Sequence, residues 1–270
     1  MAPGRVVAVT SARPDGATSV ALGLAGTLAR SGRALLVDLN LARPEVAPIL
    51  DIEERKGLYH LAYGAQLEAV RPSDLEEHLS WRDGLGIVAG IQHDAQASQV
   101  TDHFVSGLIE ATRSSFDAVV VDRGAVTGDV FAGGVDQVLW VVAPGARGLA
   151  AFGRAYDRLE DSAPNRASLA EVRVILNRVS PSSYRDPESL FEHHYGLKVI
   201  GSIPDLTEFW GRVELEHSIR YFSAPSMTKD QFMKAYGGDA FAAREAFDQL
   251  VASVQGELAT EARPPEPATP

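Results

Sequence analysis

Runs of consecutive apolar residues alternate along this chain with stretches of helical periodicity. The apolar runs predict strands at Arg5–Thr10, Ala34–Asp38, Leu85–Ala89, Ala118–Asp122, Gln137–Ala143, Val172–Asn177 and Lys198–Ile203. Apolar positions three and four residues apart predict helices over Ala17–Arg30, Gln99–Ser115, Gly148–Asp161, Asp186–Tyr195 and Asp230–Val254. Strands that are apolar on both faces and separated by helices form a parallel sheet covered on both sides. The expectation is one α/β domain over residues 1–256. The last residues, 257–270, are rich in proline and lack an apolar pattern, which predicts a disordered tail.

In an open parallel sheet, ligands bind beyond the carboxyl ends of the strands. Those ends carry Thr10, Asp38, Asp122, Asn177 and Asp205, so three carboxylates and an asparagine ring one edge. The first strand leads into the turn Ser11–Ser19, which contains Gly16 and opens a long Ala/Leu-rich helix. A strand, a glycine-containing loop and a helix are the parts that cradle phosphates with backbone N–H groups. Such a loop ordinarily supplies a lysine to the β/γ-phosphates, yet the first lysine of this chain is Lys56.

Composition narrows the alternatives. Cysteine is absent, which excludes disulfides, thiolate catalysis and cysteine zinc sites. A net charge of -11 disfavours non-specific nucleic-acid binding. The N-terminus shows no signal-peptide pattern and the longest apolar run, Val138–Ala143, is too short to cross a bilayer. The expected setting is cytoplasmic.

Together, several stretches resemble the ParA/MinD superfamily of P-loop ATPases with a deviant Walker A motif. The stretch Leu35–Pro44 is similar to its second signature, in which an aspartate ends strand two and a proline follows. Gly57-Leu58-Tyr59-His60-Leu61 resembles the following helix start, and Gly86–Gly90 the strand after it. Phe116–Asp122 is similar to the Walker B strand, while Leu176-Asn177-Arg178 and Ser202-Ile203-Pro204-Asp205 resemble the adenine-side loops. Within the superfamily, pilus-assembly proteins of the CpaE/TadZ type, which tolerate degenerate phosphate loops, are the nearest likeness. The resemblance implies a single P-loop NTPase-like domain, mostly parallel sheet with helices on both faces. It implies ATP and Mg²⁺ as ligands and a homodimer formed over nucleotide.

Carried over residue by residue, the resemblance nominates Arg13, Asp15, Gly16, Ala17, Thr18 and Ser19 for phosphate, and Asn177, Arg178, Pro204 and Asp205 for the base. It nominates Thr18 and Asp122 for Mg²⁺, and Asp38 and Asp122 as catalytic carboxylates. The departures are specific. Ala17 stands where the β/γ-phosphate lysine belongs, and Ala12 where the signature lysine reaches across the dimer. Arg13 is the nearest cation, and Asp122 is followed by Arg123-Gly124. Weak ATP binding with impaired or lost hydrolysis is therefore expected, as in a localisation or assembly factor of a pilus or secretion machine with protein partners. Two alternatives are an active ATPase of chromosome partitioning or septum placement, and a tyrosine-kinase-like protein of polysaccharide export. The plain readings of the same residues are a capped strand-to-helix turn at 13–19 and, for Asp38, a carboxylate that caps the next turn.

Other features point to structure. His193-His194 lie side by side on a helix and so diverge, which reads as an exposed helix end. Phe247, Leu250, Val251 and Val254 form a stripe expected to pack on the core, because the acidic segment around them suits no membrane surface. Trp140 reads as core, and Trp210 as part of a partner-facing helix.

Overall fold

A computed structural model describes residues 4–53, 56–65, 70–125, 134–162, 172–180 and 186–261. Eight strands form one sheet: β1 (Arg5–Ser11), β2 (Ala34–Asp38), β3 (Ser80–Arg82), β4 (Leu85–Val88), β5 (Ala118–Ala125), β6 (Gln137–Val142), β7 (Val172–Val179) and β8 (Lys198–Pro204). Their order is β3-β4-β2-β5-β1-β6-β7-β8. Every pairing is parallel except β3 with β4. The predicted parallel α/β sheet is therefore present, with one antiparallel edge strand that the apolar pattern does not reveal.

Alternate residues of each strand feed two separate cores. Val7, Val9, Leu36, Val120, Leu139 and Val141 pack on one side. There they meet α1 (Ala17–Leu28), α2 (Val46–Leu50), α8 (Thr207–Glu216), α9 (Arg220–Ser223), α10 (Lys229–Tyr236) and α11 (Gly238–Glu261). Val6, Ala8, Leu35, Val121, Val138 and Trp140 face the other side. This second layer holds α3 (Leu58–Gly64), α4 (Pro72–His78), α5 (Asp102–Ser115) and α6 (Ala146–Ser162). A short helix α7 (Pro187–Leu190) with a wide turn over Phe191–Tyr195 closes it. Burial on both faces explains why the strands read as continuous apolar runs instead of alternating ones.

Several predicted boundaries change for local reasons. The helix expected over Asp230–Val254 is two helices, α10 and α11, separated at Gly237, whose φ of 92° is left-handed. The helix expected from Gln99 starts at Asp102, because the Thr101 side chain accepts the Phe104 N–H and caps it. The helix expected from Gly148 starts at Ala146. The stretch Asp186–Tyr195 is not one regular α-helix: Asp186 caps α7, and the backbone then widens over Phe191–Tyr195. Helix α11 continues to Glu261, so the segment without regular structure cannot begin at 257. Residues 262–270 of the expected tail lie outside the described residues.

The C-terminal stripe packs as expected. Phe247, Leu250 and Val254 are buried against α1 and β8. Trp140 is core, as read from its strand. Trp210 is half-buried and sits among Phe209, Phe222 and Phe247, with ring centroids 5.3, 5.9 and 6.2 Å away. One side of its ring therefore packs on the core, while Leu215 of the same helix is exposed.

Candidate functional site

The loop between β1 and α1 is built to leave backbone donors open. Gly16 precedes α1 with φ 95° and ψ 31°, a left-handed conformation that glycine adopts without a steric penalty. A Cβ at Gly16 would also collide with the Asn177 side-chain nitrogen. The first bond within the helix runs from the Val20 N–H to the Gly16 carbonyl. No side chain caps the helix start. The donors ahead of Val20 therefore face the space before the helix, together with the positive end of its dipole.

The loop is fastened to its neighbours. Thr10 Oγ1 donates to the Gly124 carbonyl at 3.2 Å, and Ser11 Oγ donates to the Arg13 carbonyl at 2.6 Å. Asn177, at the end of β7, donates through Nδ2 to the Asp15 carbonyl at 2.8 Å. In front of the helix lies a cavity of about 520 Å³. Gly16, Ala17, Thr18 and Ser19 form its floor, and its walls include Asn40, Arg43, Glu45, Gly124, Arg178 and Glu214. That volume is in the range of small-molecule and cofactor sites, roughly 300–1,000 Å³.

Two carboxylates stand behind the floor. Asp38 and Asp122 are paired in register on adjacent strands and both are buried. Asp38 spends both oxygens on backbone: Oδ1 accepts the Asn40 N–H at 3.0 Å and Oδ2 the Val46 N–H at 3.2 Å. It thus ties the β2 turn to the start of α2, the capping arrangement that was the plain reading of this residue. Burial, and next the charge of Asp122, push its carboxyl well above the ordinary range.

Asp122 is arranged differently. Its Oδ1 accepts the Gly124 N–H at 2.9 Å, while Oδ2 is enclosed with no partner at hydrogen-bond geometry. Burial pushes this carboxyl up to about 6, against the Thr18 hydroxyl and the Gly124 N–H, which favour the ionised form. An unpartnered carboxylate oxygen beside a hydroxyl is a donor set that fits a hard divalent cation such as Mg²⁺. The loop donors likewise fit an anion. A phosphate-facing ammonium is what the site lacks: Ala17 is on the floor, and Arg43 and Arg178 are the arginines on the wall.

This burial has a measurable consequence. The Asp122 carboxyl is raised on folding from 3.8 to about 6, so the protonated form favours the folded state. That contribution is fully present below about pH 4 and is lost as the pH rises through about 6. Asp122→Asn removes the loss. It is expected to leave stability near pH 4 almost unchanged and to raise it at pH 8 by roughly 2–3 kcal/mol. Urea denaturation of both proteins at the two pH values checks this.

Besides Asp38 and Asp122, the nominated residues fall partly on and partly off the cavity wall. Gly16, Ala17, Thr18, Ser19 and Arg178 are on the cavity wall. Arg13 and Asp15 are not. Asp15 is buried beneath the loop, and the half-exposed Arg13 lies 3.5 Å from it. Asn177 sits behind the loop, holding the Asp15 carbonyl with its amide nitrogen. Pro204 ends β8, Asp205 follows it, and both are off the wall. Asp205 Oδ1 accepts both the Thr207 N–H and its hydroxyl, which lowers the Asp205 carboxyl below its usual range. Sequence reasoning missed Asn40, Arg43, Glu45 and Glu214 as wall residues. Arg43 and Glu45 flank Pro44 of the second signature, so the motif marked their neighbourhood. Glu214 is carried in by α8 and has no local signal. Among the described residues no group of three or more His, Asp or Glu side chains is placed to hold a metal ion, the Asp38–Asp122 region included, and His193 and His194 are both exposed.

No family model matches the sequence, and no curated protein matches it. The fold does have solved counterparts. A ParA family ATPase of Chlorobium tepidum is 18% identical with a TM-score of 0.73, over 93% of this chain and 98% of that one. The septum site-determining protein MinD of Pyrococcus horikoshii, solved with Mg-ADP, is 15% identical with a TM-score of 0.67, over 97% and 100%. A putative plasmid partition protein of Borrelia burgdorferi, bound to AMPPNP, is 12% identical with a TM-score of 0.63, over 94% and 99%. At these identities the likeness is one of fold: a single α/β domain with the P-loop NTPase-like architecture of ParA and MinD proteins. No helix among the described residues is long and apolar enough to cross a membrane.

Proposed function

We propose that this chain is a ParA/MinD-like localisation or assembly factor, of the kind that serves pilus or secretion machines. On this reading its cavity takes ATP weakly and hydrolyses it little or not at all. The observation that carries the reading is Ala17 on the cavity floor, where an otherwise well-formed phosphate loop needs an ammonium group. Gly16 and the open donors of α1 still supply an anion cradle, and Thr18 with Asp122 supplies oxygen ligands for Mg²⁺. When bound, Mg²⁺ would neutralise part of the phosphate charge. The developing charge of phosphoryl transfer would still lack a lysine, a loss of several kcal/mol in such sites.

The competing reading, an active partitioning or septum-placement ATPase, is favoured by the solved counterparts with Mg-ADP and AMPPNP. The two differ in what ATP does to association. A cycling ATPase dimerises when it binds nucleotide. A factor lacking both lysines associates, if at all, through constitutive surface contacts. Light scattering is therefore expected to give the same molar mass with and without ATP and Mg²⁺. A monomer that becomes a dimer only with ATP would favour the active ATPase.

A further inference from the structure

The loop that faces the cavity contains a carboxylate of its own. Asp15 is 3% exposed, and a buried carboxylate persists only where partners compensate it. Its partners come from three strand ends. The Ala143 N–H, just past β6, donates to it; Arg13 Nε lies 3.5 Å away; and the Arg178 charge acts on it from the end of β7. Asn177 holds the carbonyl of the same residue. Arg178 has a φ of 59°, a conformation few non-glycine residues adopt, and it also lines the cavity. Arg13 is thus paired with an anion inside the protein, and the Arg178 charge on the cavity wall is felt by the same carboxylate.

We propose that Asp15 is a specificity-determining residue, an internal counter-anion that pairs with Arg13, offsets the charge of Arg178 and keeps the cavity's affinity for phosphate-bearing ligands low. A phosphate arriving at the start of α1 meets a like charge within the same loop, with Arg13 already paired and the charge of Arg178 partly offset. The inference rests on the reading that this cavity is a nucleotide site. Burial raises the Asp15 carboxyl above its usual range, while the Ala143 N–H and the two arginines act in the opposite direction. These are the groups that hold the charge in place.

The test is calorimetry on the full chain at mildly alkaline pH, with inorganic pyrophosphate and with ATP. Asp15→Asn keeps an oxygen for the Ala143 N–H and removes the charge. Asp15→Ser does the same with a smaller group. Both are expected to bind pyrophosphate about tenfold more tightly than the unmodified protein, the scale of one charge-assisted contact. Adding Arg178→Gln to Asp15→Asn is expected to cancel the gain, which a merely structural role for Asp15 would not produce. Unchanged or weaker binding by the neutral variants, a gain that survives loss of Arg178, or failure of both variants to fold would each overturn the proposal. An Ala17→Lys variant in the same titrations separates the two readings. If it binds ATP while Asp15→Asn gains nothing, only the counter-anion role fails. If it binds no ATP, the nucleotide reading itself fails.

Discussion

Ala17→Lys is expected to raise the affinity for Mg·ATP by on the order of a hundredfold, since one well-placed ammonium contributes about 3 kcal/mol to a phosphate at short range. Position 17 suits this change because its Cα is on the cavity floor, at the first residue of α1. A lysine there has open space ahead of it, although the alanine itself is only 3% exposed. Gly16 already supplies the left-handed turn, and Thr18 and Asp122 are already in place. The variant needs a charge and no rebuilding of the loop. Isothermal calorimetry with ATP, with and without Mg²⁺, measures the effect. An unchanged affinity would mean that the loop lacks phosphate geometry for a reason other than the missing cation.

Phe247→Ala is expected to cost about 3–5 kcal/mol of folding stability, measured as a lower urea midpoint with a similar slope. Phe247 is fully buried, and its ring meets Phe222 edge-on at 5.0 Å between centroids. It fills the notch at Gly23 on α1, where any Cβ would collide with the ring. Through this contact α11 closes one face of the sheet under the helix that follows the Gly16 loop. A loss below about 1 kcal/mol would place α11 outside the cooperative core.

The sheet was legible because it is buried on both faces, so that its parallel strands appear as unbroken apolar runs. Asp38 and Asp122 were legible for the related reason that a carboxylate ending such a run interrupts it sharply. Edge strand β3 was not, since Ser80-Trp81-Arg82 has no apolar pattern. The signal that marks it is the turn Asp83-Gly84, both with positive φ, which joins β3 to β4 as a tight hairpin. The break at Gly237 was hidden because apolar spacing continues across it, although the pair Gly237-Gly238 marks it.

Within the site, the loop and its glycine were readable from order along the chain. Partnerships were not. Sequence places Asp38 and Asp122 alike at strand tips. Only the fold shows that Asp38 is spent on two backbone amides while one oxygen of Asp122 is enclosed without a partner at hydrogen-bond geometry. Asn177 is a strand-end amide in sequence, and its bond to Asp15, 162 positions away, depends on β7 lying one strand away from β1, across β6. Arg13 looked like the replacement cation by proximity, yet its nearest anion is inside the protein. Charge at such an edge is decided by which side chains pair before any ligand arrives, and that is a tertiary property.

The central claim is a phosphate cradle kept without its catalytic cation, and steady-state release of phosphate from Mg·ATP by the unmodified chain tests it most directly. The account predicts turnover indistinguishable from that of Asp122→Ala, both at background. Robust Mg²⁺-dependent turnover that disappears in Asp122→Ala would contradict it.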